Sequence, residues 1–138
     1  MFGVHDGGCL CGAVRYRVKG APLRAQACHC RNCQRRTGSA GAVVVAFKAE
    51  QVELNGATLS EYEHRSDESG RWLRNQFCAR CGTTLIVTLE RNPSLLIVSG
   101  GSFDDPNWFE LERHIWTRSA PHWMCFSPAI ERFEKGGS

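Results

Sequence analysis

Long apolar runs are missing from this chain of 138 residues. No stretch approaches the roughly 20 apolar residues that a membrane-spanning helix needs. Nor is Met1 followed by the basic-then-apolar pattern of an export leader. These absences argue against a membrane span, and the expected location is the cytoplasm. A sustained 3.6-residue apolar period is also missing, which excludes a coiled coil or a helix bundle. There is no repeat, low-complexity tract or linker, so the expectation is a single domain over residues 1–138. Its core should span about residues 7–126, ahead of a polar C-terminal tail. Charge of one sign is scarce too, with 17 Lys and Arg against 14 Asp and Glu. The remaining composition, 42% hydrophobic and 22% charged, is that of an ordinary globular protein.

Cysteine, by contrast, is plentiful: there are eight, and seven fall in three clusters. These are Cys9-Leu10-Cys11-Gly12, Cys28-His29-Cys30-Arg31-Asn32-Cys33 and Cys78-Ala79-Arg80-Cys81-Gly82. In a reducing compartment such spacing points to metal binding rather than disulfides. Cys78-x-x-Cys81-Gly82 has the form of a zinc knuckle, whose turn lets two sulfurs face one metal. The following glycine permits a positive φ. Cys9-x-Cys11-Gly12 supplies a second half-site. Pairing two such elements across a long loop suits a structural ion. Cys28, Cys30 and Cys33 differ, because one short loop offers three ligands by itself. A closed structural zinc takes four protein ligands and a catalytic one commonly takes three. Seven thiolates therefore divide into one caged zinc and one with a position for a guest thiol. Other groupings stay open: Cys9 and Cys11 could join the central cluster, and His64 or His122 could be a fourth ligand. His29 lies between two ligands and should point away from the metal.

The formal charge of +3 is weak evidence for a nucleic-acid partner. Seven metal-bound thiolates and two divalent cations together carry a matching negative charge and cancel it.

Strands dominate the remaining pattern, and the expected class is mainly β. Val14, Tyr16 and Val18 alternate with Arg15 and Arg17, the mark of a half-buried strand. Residues 25–30 form a strand into the central cluster, residues 31–36 a single helical turn, and residues 41–47 a buried β-branched strand. Asn55-Gly56 predicts a hairpin joining residues 52–54 to 59–64. Strands are also expected at residues 72–77, 83–89, 95–98 and 114–117, with residues 1–8 a loose start.

The three cysteine motifs, in this order and spacing, resemble those of the glutathione-dependent formaldehyde-activating enzyme family, which includes the centromere-protein-V-like proteins. The likeness extends to Gly101-Ser102-Phe103-Asp104-Asp105-Pro106, His114-Ile115-Trp116 and Trp123. It implies a β-tent fold, with antiparallel sheets sharing an edge region, zinc knuckles and few short helices. It also implies a structural zinc on Cys9, Cys11, Cys78 and Cys81 and a catalytic zinc on Cys28, Cys30 and Cys33. The implied activity is that of a carbon–sulfur lyase forming S-(hydroxymethyl)glutathione from glutathione and formaldehyde.

Beside the cysteines, Arg31 and Arg35 are candidates to grip a carboxylate of a thiol such as glutathione. Asn32 and Gln34 are candidates to hydrogen-bond the sulfurs or the substrate. Among Trp72, Trp108, Trp116 and Trp123, most are expected in packing and one at a substrate mouth. Cys125 is expected to be a buried apolar residue. The competing function is a zinc-ribbon-like module that binds protein or nucleic acid, with both metals structural. It requires a fourth protein ligand at the central cluster.

Overall fold

The computed structural model describes residues 3–55, 59–66 and 69–136. Among these the chain is mainly β, with eleven strands and a single α-helix. A three-stranded antiparallel sheet has the order β1 (Val4–Gly8), β2 (Arg15–Lys19), β5 (Val52–Asn55). In β2, Tyr16 and Val18 are buried while Arg15, Arg17 and Lys19 face water. Those cations pair with Asp104, Asp6 and Glu53. Exposed pairs of this kind contribute about 0–1 kcal/mol each, so the dry face holds the strand.

The large sheet has eight strands. Its first half is β11 (Glu131–Arg132), β10 (Arg113–Ile115), β3 (Arg24–Cys28) and β4 (Ala42–Lys48). It continues through β9 (Asn92–Ser99), β8 (Thr84–Leu89), β7 (Trp72–Cys78) and β6 (Leu59–Arg65). Pairing is antiparallel except where β10 lies parallel to β3 and β11. Because side chains alternate across a strand, register decides which residues share a face. Val45 opposes Val98, which opposes Ile86. With Phe47 and Leu85 they pack on Val14, Tyr16, Val18 and Phe103 from the small sheet's side. Phe103 and Trp108 meet edge to face with centroids 5.2 Å apart, and Trp108 stacks on His5. The opposite face of the large sheet carries the intervening residues Val44, Ile97, Val87 and Asn75.

Close packing constrains Gly7. A Cβ there would lie 2.3 Å from the Tyr16 hydroxyl and 2.6 Å from the Ser102 carbonyl oxygen. That tight contact lets the Tyr16 and Ser102 hydroxyls hydrogen-bond at 2.6 Å beneath β1.

Several expectations are corrected. The N-terminal segment is β1, because its backbone is taken up by β2 and its middle by Phe103. The hairpin predicted at Asn55-Gly56 does not form: β5 pairs with β2, while β6 pairs with β7. The two strands belong to different sheets, and residues 56–58 lie outside the described residues. The strand expected from Leu95 starts at Asn92. Pro93 is tolerated because β4 pairs only from Leu95 onward. The helix α1 (Arg31–Thr37) is longer than the single turn foreseen and ends at Gly38 with φ 69°. Cys125 is exposed. The C-terminal segment is tied into the large sheet rather than trailing. Phe133 N–H donates to the His114 carbonyl at 2.9 Å, and Trp116 N–H to the Lys135 carbonyl at 2.9 Å. No helix among the described residues is long and apolar enough to cross a membrane.

Phe133 packs beside Cys28, Cys33, Ala42 and Ile115, with the Arg113 guanidinium 5.2 Å from its ring centre. Truncating such a half-buried ring costs about 1–2 kcal/mol. Phe133→Ala is expected to lower urea-unfolding stability by that amount, and an unchanged midpoint would show that the tail does not hold the sheet.

Candidate metal centres and the cleft

The seven clustered sulfurs gather into two groups. Cys9, Cys11, Cys78 and Cys81 place their sulfurs within 4.8 Å of one another, and Cys28, Cys30 and Cys33 do the same. The division into four and three therefore matches the expected donor sets, and Cys9 and Cys11 do not join the central cluster. No cysteine is bridged to another.

The quartet is made by two turns of similar build. Cys9 N–H donates to the Val14 carbonyl at 3.0 Å, and Cys78 N–H to the Thr83 carbonyl at 3.0 Å. Each turn ends on a glycine in the left-handed region, Gly12 at φ 82° and Gly82 at φ 80°. An L side chain there is strained. The Thr83 hydroxyl accepts from Leu10 N–H at 3.1 Å and lies 3.2 Å from Cys81 Sγ. One hydroxyl thus spans both turns, and its hydrogen bond holds the Cys81 thiol down to about 5. Sulfur separations are 3.6 Å for Cys9–Cys11 and 3.8 Å for Cys11–Cys78. A tetrahedron with zinc–sulfur bonds of about 2.3 Å has edges of about 3.8 Å. The donor set and its spacing fit zinc.

The trio sits where β3 runs into α1. Cys28 ends β3, Cys30 caps the helix, and Cys33 lies one turn inside it. Cys33 N–H points at Cys30 Sγ at 3.4 Å. That amide favours negative charge on Cys30. Hydrogen bonds from the Cys28 and Cys33 thiols, then burial opposed by the Cys33 and Asn32 amides, leave its thiol far below the ordinary value. The same sharing, with burial, pushes Cys28 up. The Arg36 guanidinium approaches Cys33 Sγ at 3.6 Å and offsets thiolate charge.

His29 points away from the sulfurs, as expected. Its Nδ1 lies 3.0 Å from the Ala40 carbonyl oxygen, and its Nε2 lies 2.9 Å from His114 Nδ1. A carbonyl only accepts, so His29 carries its proton on Nδ1. His29 Nε2 then accepts from His114 Nδ1–H. Burial pushes His114 down, which favours its neutral form. Gly41 allows the close approach, because a Cβ there would lie 2.4 Å from the Cys28 carbonyl oxygen. Gln34 was a candidate to bond sulfur or substrate. It is instead buried and donates to the His29 and Ser119 carbonyls at 2.8 and 2.9 Å, locking α1 to its surroundings.

The trio opens onto a cleft of about 470 Å³ on the outer face of the large sheet, within the roughly 300–1,000 Å³ usual for small-molecule sites. Register assembles its floor. Val87 opposes Ile97 and Asn75, and Asn75 opposes Tyr62. One residue pair further along, Leu73 opposes both Leu89 and His64. Asn32, Arg35 and Arg36 line the cysteine end, with Ile115 and Trp116. Arg31 does not line it; its guanidinium bonds the Gln34 carboxamide, and it faces a separate surface hollow with Trp123. Arg35 touches both hollows. His64 lines the cleft but is not grouped with the trio, and His122 is grouped with neither sulfur set. Sequence reasoning missed Asn75, Arg91 and the aliphatic floor, because no local pattern marks them.

Of the four tryptophans, Trp116 lines the cleft. It is also a non-glycine residue with positive φ, 56°. Its backbone holds that left-handed position through bonds to the C-terminal segment. Such a conformation is costly for a bulky residue and marks functional sites more often than chance.

Comparison with known proteins agrees with the motifs. The family model described as glutathione-dependent formaldehyde-activating enzyme matches residues 4–119. A protein of Halomonas elongata, provisionally named a glutathione-dependent formaldehyde-activating enzyme, is 30% identical over 123 residues. That alignment covers 86% of this chain and 78% of the relative. The crystal structure of a Rhodobacter sphaeroides protein superposes with TM-score 0.59 at 20% identity. It covers 93% of this chain and 98% of that one, and it supports the fold.

The quartet clamps both sheets, so its loss is expected to be felt throughout. A structural zinc contributes folding free energy of order 10 kcal/mol. Cys78→Ser is expected to lower the thermal midpoint by more than about 10 °C or to prevent folding. Cys33→Ser is expected to fold, with a midpoint within a few degrees of the parent and one metal fewer by elemental analysis. Equal behaviour of the two variants would contradict this division.

Proposed function

Because the chain belongs to the glutathione-dependent formaldehyde-activating enzyme family, we propose that it is a zinc-dependent carbon–sulfur lyase. It adds a small thiol, glutathione or a similar one, to an aldehyde, or releases it from the adduct. Two zinc ions per chain are proposed, a structural one on Cys9, Cys11, Cys78 and Cys81 and a catalytic one on Cys28, Cys30 and Cys33. One observation carries the reading. The quartet is a complete donor set, whereas the trio has three donors, faces a cleft and has no fourth Cys, His, Asp or Glu grouped with it among the described residues.

Zinc on the trio would supply a fourth position for the substrate sulfur and hold that sulfur as thiolate at neutral pH. The chain's own residues do the rest. The rigid β3–α1 corner, fixed by His29, His114 and Gln34, presents three sulfurs without rearrangement. Arg36 balances negative charge beside Cys33. Arg35, at the cysteine end of the cleft, is placed to bind a carboxylate of the thiol. Arg31 faces the adjoining hollow, so its contribution is to steer anions toward α1 rather than to grip them in the cleft. The aliphatic walls exclude water, which strengthens each of these charge contacts. Carbon–sulfur bond formation moves the thiol proton to the aldehyde oxygen, and cleavage returns it. Unbridged clustered cysteines suit the reducing cytoplasm.

The alternative, a zinc-ribbon-like module for protein or nucleic acid, requires the trio to be closed by a protein ligand. The geometry disfavours it, since His64 and His122 both stand outside the sulfur group.

Cobalt substitution tests the reading. Adding glutathione is expected to alter the thiolate-to-metal absorption of one of two bound ions in the parent and of none in Cys33→Ser. Absence of any change with glutathione or another small thiol would defeat the proposal.

A further inference from the structure

The cleft extends well past the cysteine end, where formaldehyde itself would sit. Four strand spacings separate β3 from β7, so at roughly 4.8 Å per strand its floor is on the order of 19 Å across. Five aliphatic side chains, Val44, Leu73, Val87, Leu89 and Ile97, lie on that floor, beside the polar Gln26, Tyr62, His64 and Asn75. Glutathione, amide and charged along its length, offers those five side chains no matching hydrocarbon. Cations stand at both ends. Arg35 and Arg36 lie on α1, while Arg91 lines the cleft from the exposed turn between β8 and β9. Among the described residues no Asp or Glu lines the cleft, and none of these three arginines is in an ion pair.

Resting on the lyase reading of the trio, we propose that the carbonyl partner is a long apolar aldehyde with an anionic group at its far end. The aldehyde carbon meets the thiol at the cysteine end. The hydrocarbon body covers the floor, and the acid group reaches Arg91. The step balances without an oxidant or reductant. The thiol sulfur bonds the carbonyl carbon, the carbon–oxygen π bond opens, and the thiol proton ends on oxygen.

The test compares formaldehyde, decanal and ω-oxodecanoate on the zinc-loaded protein with glutathione, above the uncatalysed rate. The expected kcat/KM is about tenfold or more higher for ω-oxodecanoate than for formaldehyde, with decanal between. Arg91→Glu is expected to reduce the preference for ω-oxodecanoate over decanal by about tenfold, the scale of a rim charge contact. Binding is read separately, without thiol, from tryptophan emission on titrating decanoate. The parent should respond, Trp116→Phe should lose most of the response, and Arg91→Glu should bind about tenfold more weakly. Thiol chemistry in which formaldehyde matches or exceeds ω-oxodecanoate overturns the inference while leaving the lyase reading intact. Decanoate binding with no thiol chemistry on any aldehyde defeats the lyase reading, and the aldehyde assignment with it.

Discussion

Four sulfurs on two glycine-ended turns hold the small sheet against the large one. The first turn precedes β2 and the second joins β7 to β8, so a single ion there would close a loop of about half the chain. Closing a long loop removes conformational freedom from the unfolded state. Cys9 and Cys78 are themselves buried among Val14, Tyr16, Leu85 and Phe103, so the same atoms serve as ligands and as core. The hydrophobic contact between the sheets and the sulfur clamp are one feature of the fold.

Fixing one face of the large sheet frees the other. Strand alternation sends Val45, Phe47, Val98 and Ile86 inward, and the same register leaves Val44, Ile97, Val87 and Asn75 outside. The outer face becomes a cleft because α1 and the segment after β10 rise at one end of it. The trio stands at that end. Its three sulfurs are held by the backbone of one corner, while the corner is held by buried polar groups. His29, His114 and Gln34 form hydrogen bonds that fix orientation, and none of the three lines the cleft. The family's motif thus contains two kinds of residue, those that offer sulfur and those that aim it.

Local patterns were readable where the physics is local. The alternation in β2 and the glycine after each knuckle appear in the structure as their spacing suggests, and the apolar run is strand β4, though with Val43 exposed rather than buried. Reading failed where partners are remote. Asn55-Gly56 is a strong turn signal, yet β5 and β6 find better partners in separate sheets. The polar C-terminal stretch looked unstructured, yet Phe133 and main-chain bonds to β10 and Trp116 fasten it. Arg31 and Arg35 looked equivalent, although they are four residues apart on a short helix. Only Arg35 faces the cleft, since the Arg31 guanidinium is drawn to Gln34.

By itself the sequence determined the donors: seven cysteines at spacings that bring sulfurs together, with glycines that let the chain turn. That much is chemistry within a few residues, where bond lengths and φ limits leave few choices. Tertiary structure decided which sulfurs share a site, that the trio opens onto a cleft, and that the cleft is lined by aliphatic residues and arginines. Those outcomes depend on register across β3, β4, β9, β8 and β7. Register is set by how whole faces pack, a property that no short stretch of this chain contains.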